Sequence, residues 1–276
     1  MAPWRKIHKD IGMSIHMMDY HVHSLFSIDG RSPLDAYCSG AADHGLREIG
    51  FAEHVDLDPD IPGYDALDFM AYHRTLTEVR EHCPLPVRCG IEVSYQHRLE
   101  ASIKEYISKK PCDYVIGSVH EVKGRTMDHS FFTISSPGEY FSEIRQLVSS
   151  GLCDIVGHLE YFKQWGPYNR ALYTEELTEI LQEIIENELV LEVNTAGLRH
   201  ASLEPYPSYE ILGLYRNLGG TLISLGSDAH TTSHLAFQFP AAITRLKKMG
   251  FEGIVRIEKR KSSLVHFDSD KADFGG

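Results

Sequence analysis

Asp19-Tyr20-His21-Val22-His23-Ser24 (DYHVHS, 19–24) sets two histidines two residues apart at the end of a short β-rich run, MDYHV (18–22). Residues i and i+2 on a strand share a face, so the two imidazoles can grip one ion together. Far along the chain, GSDAH (226–230) repeats the spacing with Asp228 and His230, directly after the run TLISLG (221–226). Five more β-rich runs lie between them: REIGFA (47–52), PVRCGI (86–91), DYVIGSV (113–119), CDIVGHL (153–159) and LVLEV (189–193). Amphipathic stretches alternate with the runs, and their periodicity predicts helices over 33–44, 68–82, 97–109, 137–149, 174–187, 208–217 and 232–249. Ser32-Pro33 and Ser136-Pro137 are start signals, and Gly45, Gly151, Gly219 and Gly250 stand where helices stop. Strands that alternate with helices must pair in parallel, in a closed barrel or an open doubly wound sheet.

Ligand-type side chains fall at the ends of these runs. His21 and His23 end the first, His54 follows the second, Glu92 the third, His120 the fourth and His158 the fifth. Asn194 ends the sixth, with Arg199 just beyond, and Asp228 and His230 follow the seventh; Asp29 lies in the loop after His23. The C-terminal ends of parallel barrel strands meet at one face, where active sites are built. Imidazole with carboxylate suits Zn²⁺, Mn²⁺ or Fe²⁺. A single strand-end histidine is usually a satisfied core or cap residue, but ligand-type or amide residues at every strand end would need many coincidences. His129, His200 and His234, in loops on the same expected face, are candidates for substrate contact.

Composition narrows the function. The chain has 276 residues, near the size of one α/β barrel, read as an N-terminal extension over 1–17 followed by a single barrel over 18–276. Its 27 basic and 39 acidic side chains give −12, which argues against long nucleic acid or anionic lipid as partners. No apolar stretch is long enough to span a bilayer, and charges interrupt the N-terminal segment, so a cytoplasmic location is expected. The five cysteines are scattered without a C-x-x-C spacing, as buried thiols in a reducing compartment would be. Sixteen histidines are an unusual number for this length. The segment GIVRIEKRKSSLVHF (253–267) reads as a terminal β pair. Oligomeric state leaves no trace in the sequence.

The motifs DYHVHSLFSIDG (19–30), GFAEH (50–54), GIE (90–92), IGSVH (116–120), GH (157–158) and GSDAH (226–230) resemble, in order, those of the polymerase-and-histidinol-phosphatase (PHP) superfamily. Within it, IGSVHEVKGRTMDH (116–129), EVNTAGLRH (192–200) and PYPSYEIL (205–212) look like the histidinol-phosphatase branch. The match covers about residues 18 to 258. The resemblance implies a distorted seven-stranded (β/α)7 TIM-like barrel holding two or three divalent ions. It implies that one ion takes His21, His23, Glu92 and Asp228, that a second shares Glu92 and adds His120 and His158, and that a third takes Asp29, His54 and His230. Asp29 stands where some branches carry histidine.

Arg199 resembles the branch's phosphate-binding arginine. Lys163 stands where the family carries a second basic residue, often arginine. The implied reaction is hydrolysis of L-histidinol phosphate to L-histidinol and phosphate, a step of histidine biosynthesis, by a metal-bridging hydroxide. Asp228 is the expected proton-handling residue. The acidic loop 55–68, with Asp56, Asp58, Asp60, Asp65 and Asp68, is a candidate for recognising the substrate's amine, although Asp65 or Asp68 could serve only as a helix cap. Two other readings compete: a sister phosphoesterase acting on another small phosphate ester or an oligonucleotide end, and a binding module that has kept the fold without the chemistry.

Overall fold

The strand runs do pair in parallel, and the sheet closes. In the computed structural model, which describes residues 16–268, the strands β1 (Met18–Asp19), β2 (Glu48–Val55), β3 (Val87–Ser94), β4 (Tyr114–Ser118), β7 (Ile155–Val156), β8 (Val190–Asn194) and β9 (Ile223–Gly226) form one sheet in that order. Residues 1–15, most of the expected N-terminal extension, lie outside the described residues. Closure runs from the last strand to the first. Tyr20 N donates to Leu225 O at 3.1 Å and His23 N to Ala229 O at 2.9 Å, and Val22 bridges Ala229 in parallel. This is the distorted (β/α)7 barrel, and the open doubly wound alternative is excluded. Two small hairpins stand outside the sheet: β5 (Glu121–Val122) with β6 (Arg125–Thr126), and β10 (Gly253–Glu258) with β11 (Lys261–His266), the latter being the expected terminal pair.

The connecting helices are α1 (Leu34–Ala41), α2 (Phe69–Arg80), α3 (Glu100–Ser108), the short α4 (Phe131–Ile134), α5 (Pro137–Ser150), α6 (Thr174–Glu186), α7 (Tyr209–Asn217) and α8 (Phe239–Lys248). α1, α2, α5, α6, α7 and α8 each bury an apolar stripe. In α6 the buried side chains are Leu177, Ile180, Leu181 and Ile184, spaced i, i+3, i+4, i+7, and each such burial contributes about 1.5–3 kcal/mol. Ser136 and Glu139 form a capping box at α5 with Pro137 in its first turn, and Gly151 ends that helix at φ 68°. Asp68 caps α2 by accepting from Ala71 N.

The helix expected over 232–249 is divided. A 3₁₀ turn, Thr232–His234, is followed by Ala236 and Gln238 at φ 50° and 58°, and α8 starts only at Phe239. Pro240 explains the late start, because it lacks an N–H and fits only a helix's first turn. The expected helix 97–109 likewise opens as a 3₁₀ turn, His97–Leu99. In the first strand only Met18–Asp19 joins the ladder with β2, and the chain runs on through Val22, which bridges Ala229 between the two histidines.

Alternation along the strands sets what lies at each depth of the barrel. On β2 the residues Glu48, Gly50, Ala52 and His54 share one face, as Arg88, Gly90 and Glu92 do on β3. The register pairs His54 with Glu92. Below that layer Tyr114 fills the barrel: a Cβ at Gly50 would meet its Oη at 2.4 Å, and one at Gly90 its Cζ at 2.2 Å. Glycine at both positions therefore makes room for a tyrosine ring, which stacks on Tyr20 with centroids 5.0 Å apart. At the bottom, Glu48 is fully buried between Arg88 at 2.7 Å and Arg256 at 3.0 Å, the second coming from the terminal hairpin.

Candidate metal centre

Glu92 ends up in the middle of the upper face. Its Oε1 lies 2.9 Å from His158 Nε2, 3.3 Å from His21 Nε2 and 3.5 Å from His120 Nε2. Its Oε2 lies 2.9 Å from His54 Nδ1 and 3.5 Å from His23 Nε2. Five imidazoles from four strand ends thus surround one carboxylate that is 1% exposed. Asp228 Oδ1 stands 3.8 Å from His21 Nε2, 3.6 Å from His23 Nε2 and 3.5 Å from His230 Nδ1. Asp29, more exposed, spans the outer pair: its oxygens lie 3.4 Å from His54 Nε2 and 3.2 Å from His230 Nε2. All nine side chains singled out for metal binding therefore lie in one cluster.

Their donor atoms fall into overlapping groups that could each hold an ion. These are His21 with His23 and Glu92; Glu92 with His120 and His158; His23 with His54 and His230; and His21 with His158 and Asp228. The last two link the ligand sets more closely than sequence alone implied. The residues fit metal ions on a direct observation: His21 Nε2 and His23 Nε2 are buried, face the cluster and make no hydrogen bond. A buried polar atom left unpaired costs about 1–3 kcal/mol, so a pair of them aimed at carboxylates calls for a ligand.

The electrostatics agree. Burial pushes His21 down, yet Glu192, Glu92 and Asp228 together hold it well above the usual imidazole range. Burial pushes Asp228 up, and His21, His230 and His23 pull it below the usual carboxylate range. His23, buried beside His54 and His230, is driven well below the ordinary value, which leaves it a neutral donor.

Arg199 reaches this centre from the 3₁₀ turn Thr195–Arg199, donating to Ser227 O at 2.9 Å and Asp228 O at 3.1 Å. Lys163 does something else. Its ammonium is buried, 2.8 Å from Pro205 O and 3.3 Å from Glu160 Oε2, and sits 5.2 Å over the Tyr206 ring. The turn that sends it there has Glu160 at φ 72°. Among the histidines considered for substrate contact, His129 is exposed and His200 Nδ1 lies 2.9 Å from Tyr206 Oη. His234 lies close enough to Arg199 and His230 to add to the effect of burial in lowering its pKa. In the acidic loop, Asp58 is buried and held by Arg98 and by Gln96 at 3.0 Å, and Asp68 is spent on its cap. Asp56 is half-buried, raised by burial and pulled down by His120 and His54.

Several supporting residues were not singled out from sequence. Glu192 Oε1 lies 2.6 Å from His21 Nδ1. Ser27 Oγ lies 3.0 Å from His23 Nδ1 and donates to Glu53 Oε2 at 2.6 Å. Ser118 Oγ donates to Glu92 Oε1 at 2.6 Å. Asp19, fully buried and raised to about 6 by that burial, accepts from the backbone of His21, Ser227 and Ala236. The signal available in sequence was a lone carboxylate inside each apolar run: Glu53 in GFAEH and Glu192 in LVLEV.

A parallel barrel that gathers imidazoles and carboxylates at the carboxyl ends of its strands, with an arginine beside them, is the site of a metal-dependent hydrolase. The PHP domain model matches residues 19–196, and the chain belongs to the PHP family. It is 30% identical over 270 residues to the histidinol-phosphatase of Lactococcus lactis subsp. lactis, covering 90% of this chain and 98% of that protein. It is 26% identical to a probable histidinol-phosphatase of Thermotoga maritima, covering 86% and 94%. The crystal structure of the Lactococcus lactis histidinol phosphate phosphatase, complexed with zinc, L-histidinol and phosphate, superposes with a TM-score of 0.81 at 28% identity, covering 91% of this chain and all of that one.

Proposed function

We propose that this protein is a phosphomonoesterase that hydrolyses L-histidinol phosphate to L-histidinol and phosphate with two or three divalent ions. The observation that carries the reading is Glu92 inside its ring of five imidazoles, beside the unpartnered His21 Nε2 and His23 Nε2. The substrate follows from similarity to the Lactococcus lactis enzyme.

In this reading His21, His23, Glu92 and Asp228 hold one ion; Glu92, His120 and His158 a second; and Asp29, His54 and His230 a third, drawn from Zn²⁺, Mn²⁺ or Fe²⁺. When bound, such ions supply positive charge for a phosphate dianion and acidify water at neutral pH. The chain's own residues do the rest. Arg199, braced by two carbonyls, presents its guanidinium to the phosphoryl oxygens. Asp228 Oδ2, 3.4 Å from Asn194 Nδ2, is oriented to take and return the proton of the reaction. Lys163, bound to Glu160 and the Pro205 carbonyl, holds its ammonium over the Tyr206 ring. Asp56, whose charge is felt by His120 and His54, is the acid of its loop placed to meet the substrate's amine.

Among the described residues no helix is long and apolar enough to cross a membrane. All five cysteines are free thiols, which supports a cytoplasmic setting. The test is phosphate release from L-histidinol phosphate beside other phosphomonoesters. A kcat/KM at least about a hundredfold above the panel, about 2.7 kcal/mol of discrimination, is expected. Equal rates across the panel would move the substrate to another small phosphate ester.

A further inference from the structure

Glu192 is in none of the ligand groups, yet it touches three of the strands that carry them. It lies midway along β8 and is 1% exposed. Its Oε1 faces His21 Nδ1 at 2.6 Å; its Oε2 accepts from the His158 backbone N–H at 2.7 Å and from Asn194 Nδ2 at 3.2 Å. Asn194 Nδ2 in turn reaches Asp228 Oδ2 at 3.4 Å. One carboxylate therefore bears on His21 directly, on His158 through its main chain and on Asp228 through an amide. Those three residues form one of the groups whose donor atoms converge.

The space for this carboxylate is built in. A Cβ at Gly226 on β9 would fall 1.9 Å from Glu192 Oε1, so only glycine there lets the side chain lie flat across the barrel. No lysine or arginine pairs with Glu192 among the described residues, and a buried carboxylate without such a cation is costly unless its geometry serves the site. His23 is held differently, by the neutral Ser27 hydroxyl at 3.0 Å with Glu53 behind it. A carboxylate on Nδ1 fixes the ring's tautomer, aims Nε2 and raises its basicity; a hydroxyl gives orientation with less charge.

We propose that Glu192 is the positioning residue of His21, His158 and Asp228 and, through its direct contact with His21, sets the affinity of the ion that His21 and Asp228 hold. This rests on the reading that the cluster binds metal. The experiment uses the full chain stripped of metal, titrated with Zn²⁺ against a chromogenic chelator, with bound metal counted by mass spectrometry. In Glu192→Gln, one ion should bind about 10–100-fold more weakly than in the wild type, with an unchanged circular dichroism spectrum. Turnover of p-nitrophenyl phosphate should fall at limiting Zn²⁺ and recover with excess Zn²⁺ at unchanged KM. Should Glu192→Gln fail to fold, Glu192→Asp, which keeps the charge but withdraws it from His21, goes through the same titration with the same expected loss. Wild-type affinity and stoichiometry in the folded variant would overturn the proposal, even if its melting temperature fell. A wild-type protein that takes up no metal would instead overturn the proposed function.

Discussion

The carboxylates at the barrel's amino end and Glu92 at its carboxyl end are held in opposite ways. At the amino end each has a cation: Glu48 lies between Arg88 and Arg256, Asp113 faces Arg80 at 3.0 Å, and Asp154 faces Arg260 at 2.5 Å. Asp113 and Asp154 also accept strand N–H groups, from Cys89 at 2.9 Å and Val115 at 2.7 Å. At the carboxyl end Glu92 has no lysine or arginine among the described residues, only imidazoles, two of which point unpartnered nitrogens into the cluster. The first arrangement is complete in itself. The second is completed by something from outside, and this difference separates a structural network from a functional one.

Substitutions at the two ends should therefore fail in different ways. The largest effect is expected from Glu92→Gln, which removes the charge shared by the cluster: kcat/KM should fall at least a thousandfold, about 4 kcal/mol of transition-state stabilisation, while the protein stays folded. Steady-state kinetics beside a melting curve would check it, and near-wild-type kcat/KM would break the comparison. Glu48→Gln should do the reverse. Leaving Arg88 and Arg256 without their buried partner should cost about 3–5 kcal/mol of stability in urea unfolding, with kcat per folded molecule unchanged.

Asp56→Asn sharpens the account of the upper end. KM for histidinol phosphate should rise about tenfold, near 1.4 kcal/mol, and KM for p-nitrophenyl phosphate should not move. Equal changes would remove Asp56 from amine recognition. The smallest effect lies away from both ends. Contact with Cys38 lowers the Cys83 thiol to about 7, whereas burial and neighbouring groups raise Cys89, Cys112 and Cys153. A lowered pKa means more thiolate at neutral pH, so iodoacetamide should label Cys83 first, with a rate that climbs as pH rises through about 7. Mapping the labelled peptide would show it, and activity should survive.

The cluster of imidazoles and carboxylates was legible in the sequence because its chemistry sits at strand ends, and parallel topology forces those ends together. His21 and Asp228 needed only that rule to meet. The arrangement around them was less legible. Asp58 stands among the loop acids expected to recognise the amine, but its partner Arg98 comes 40 positions later, a pairing that no local pattern announces. Lys163 read as a phosphate ligand by position, and the left-handed turn at Glu160 carries its ammonium to Glu160 and Pro205 instead. Glu192 looked like any polar residue on a strand, because inward and outward positions differ only by register. Helix α8 began late for a reason visible in one residue, Pro240, whose weight against the apolar periodicity is clear only once the preceding turn is seen.

The most direct test of the central claim strips the protein of metal with a chelator, measures phosphate release from L-histidinol phosphate, and then restores Zn²⁺ or Mn²⁺ while counting the ions bound per chain. Activity that vanishes on stripping and returns as two or three ions bind is the predicted result. Full turnover by protein shown to be metal-free would contradict the account.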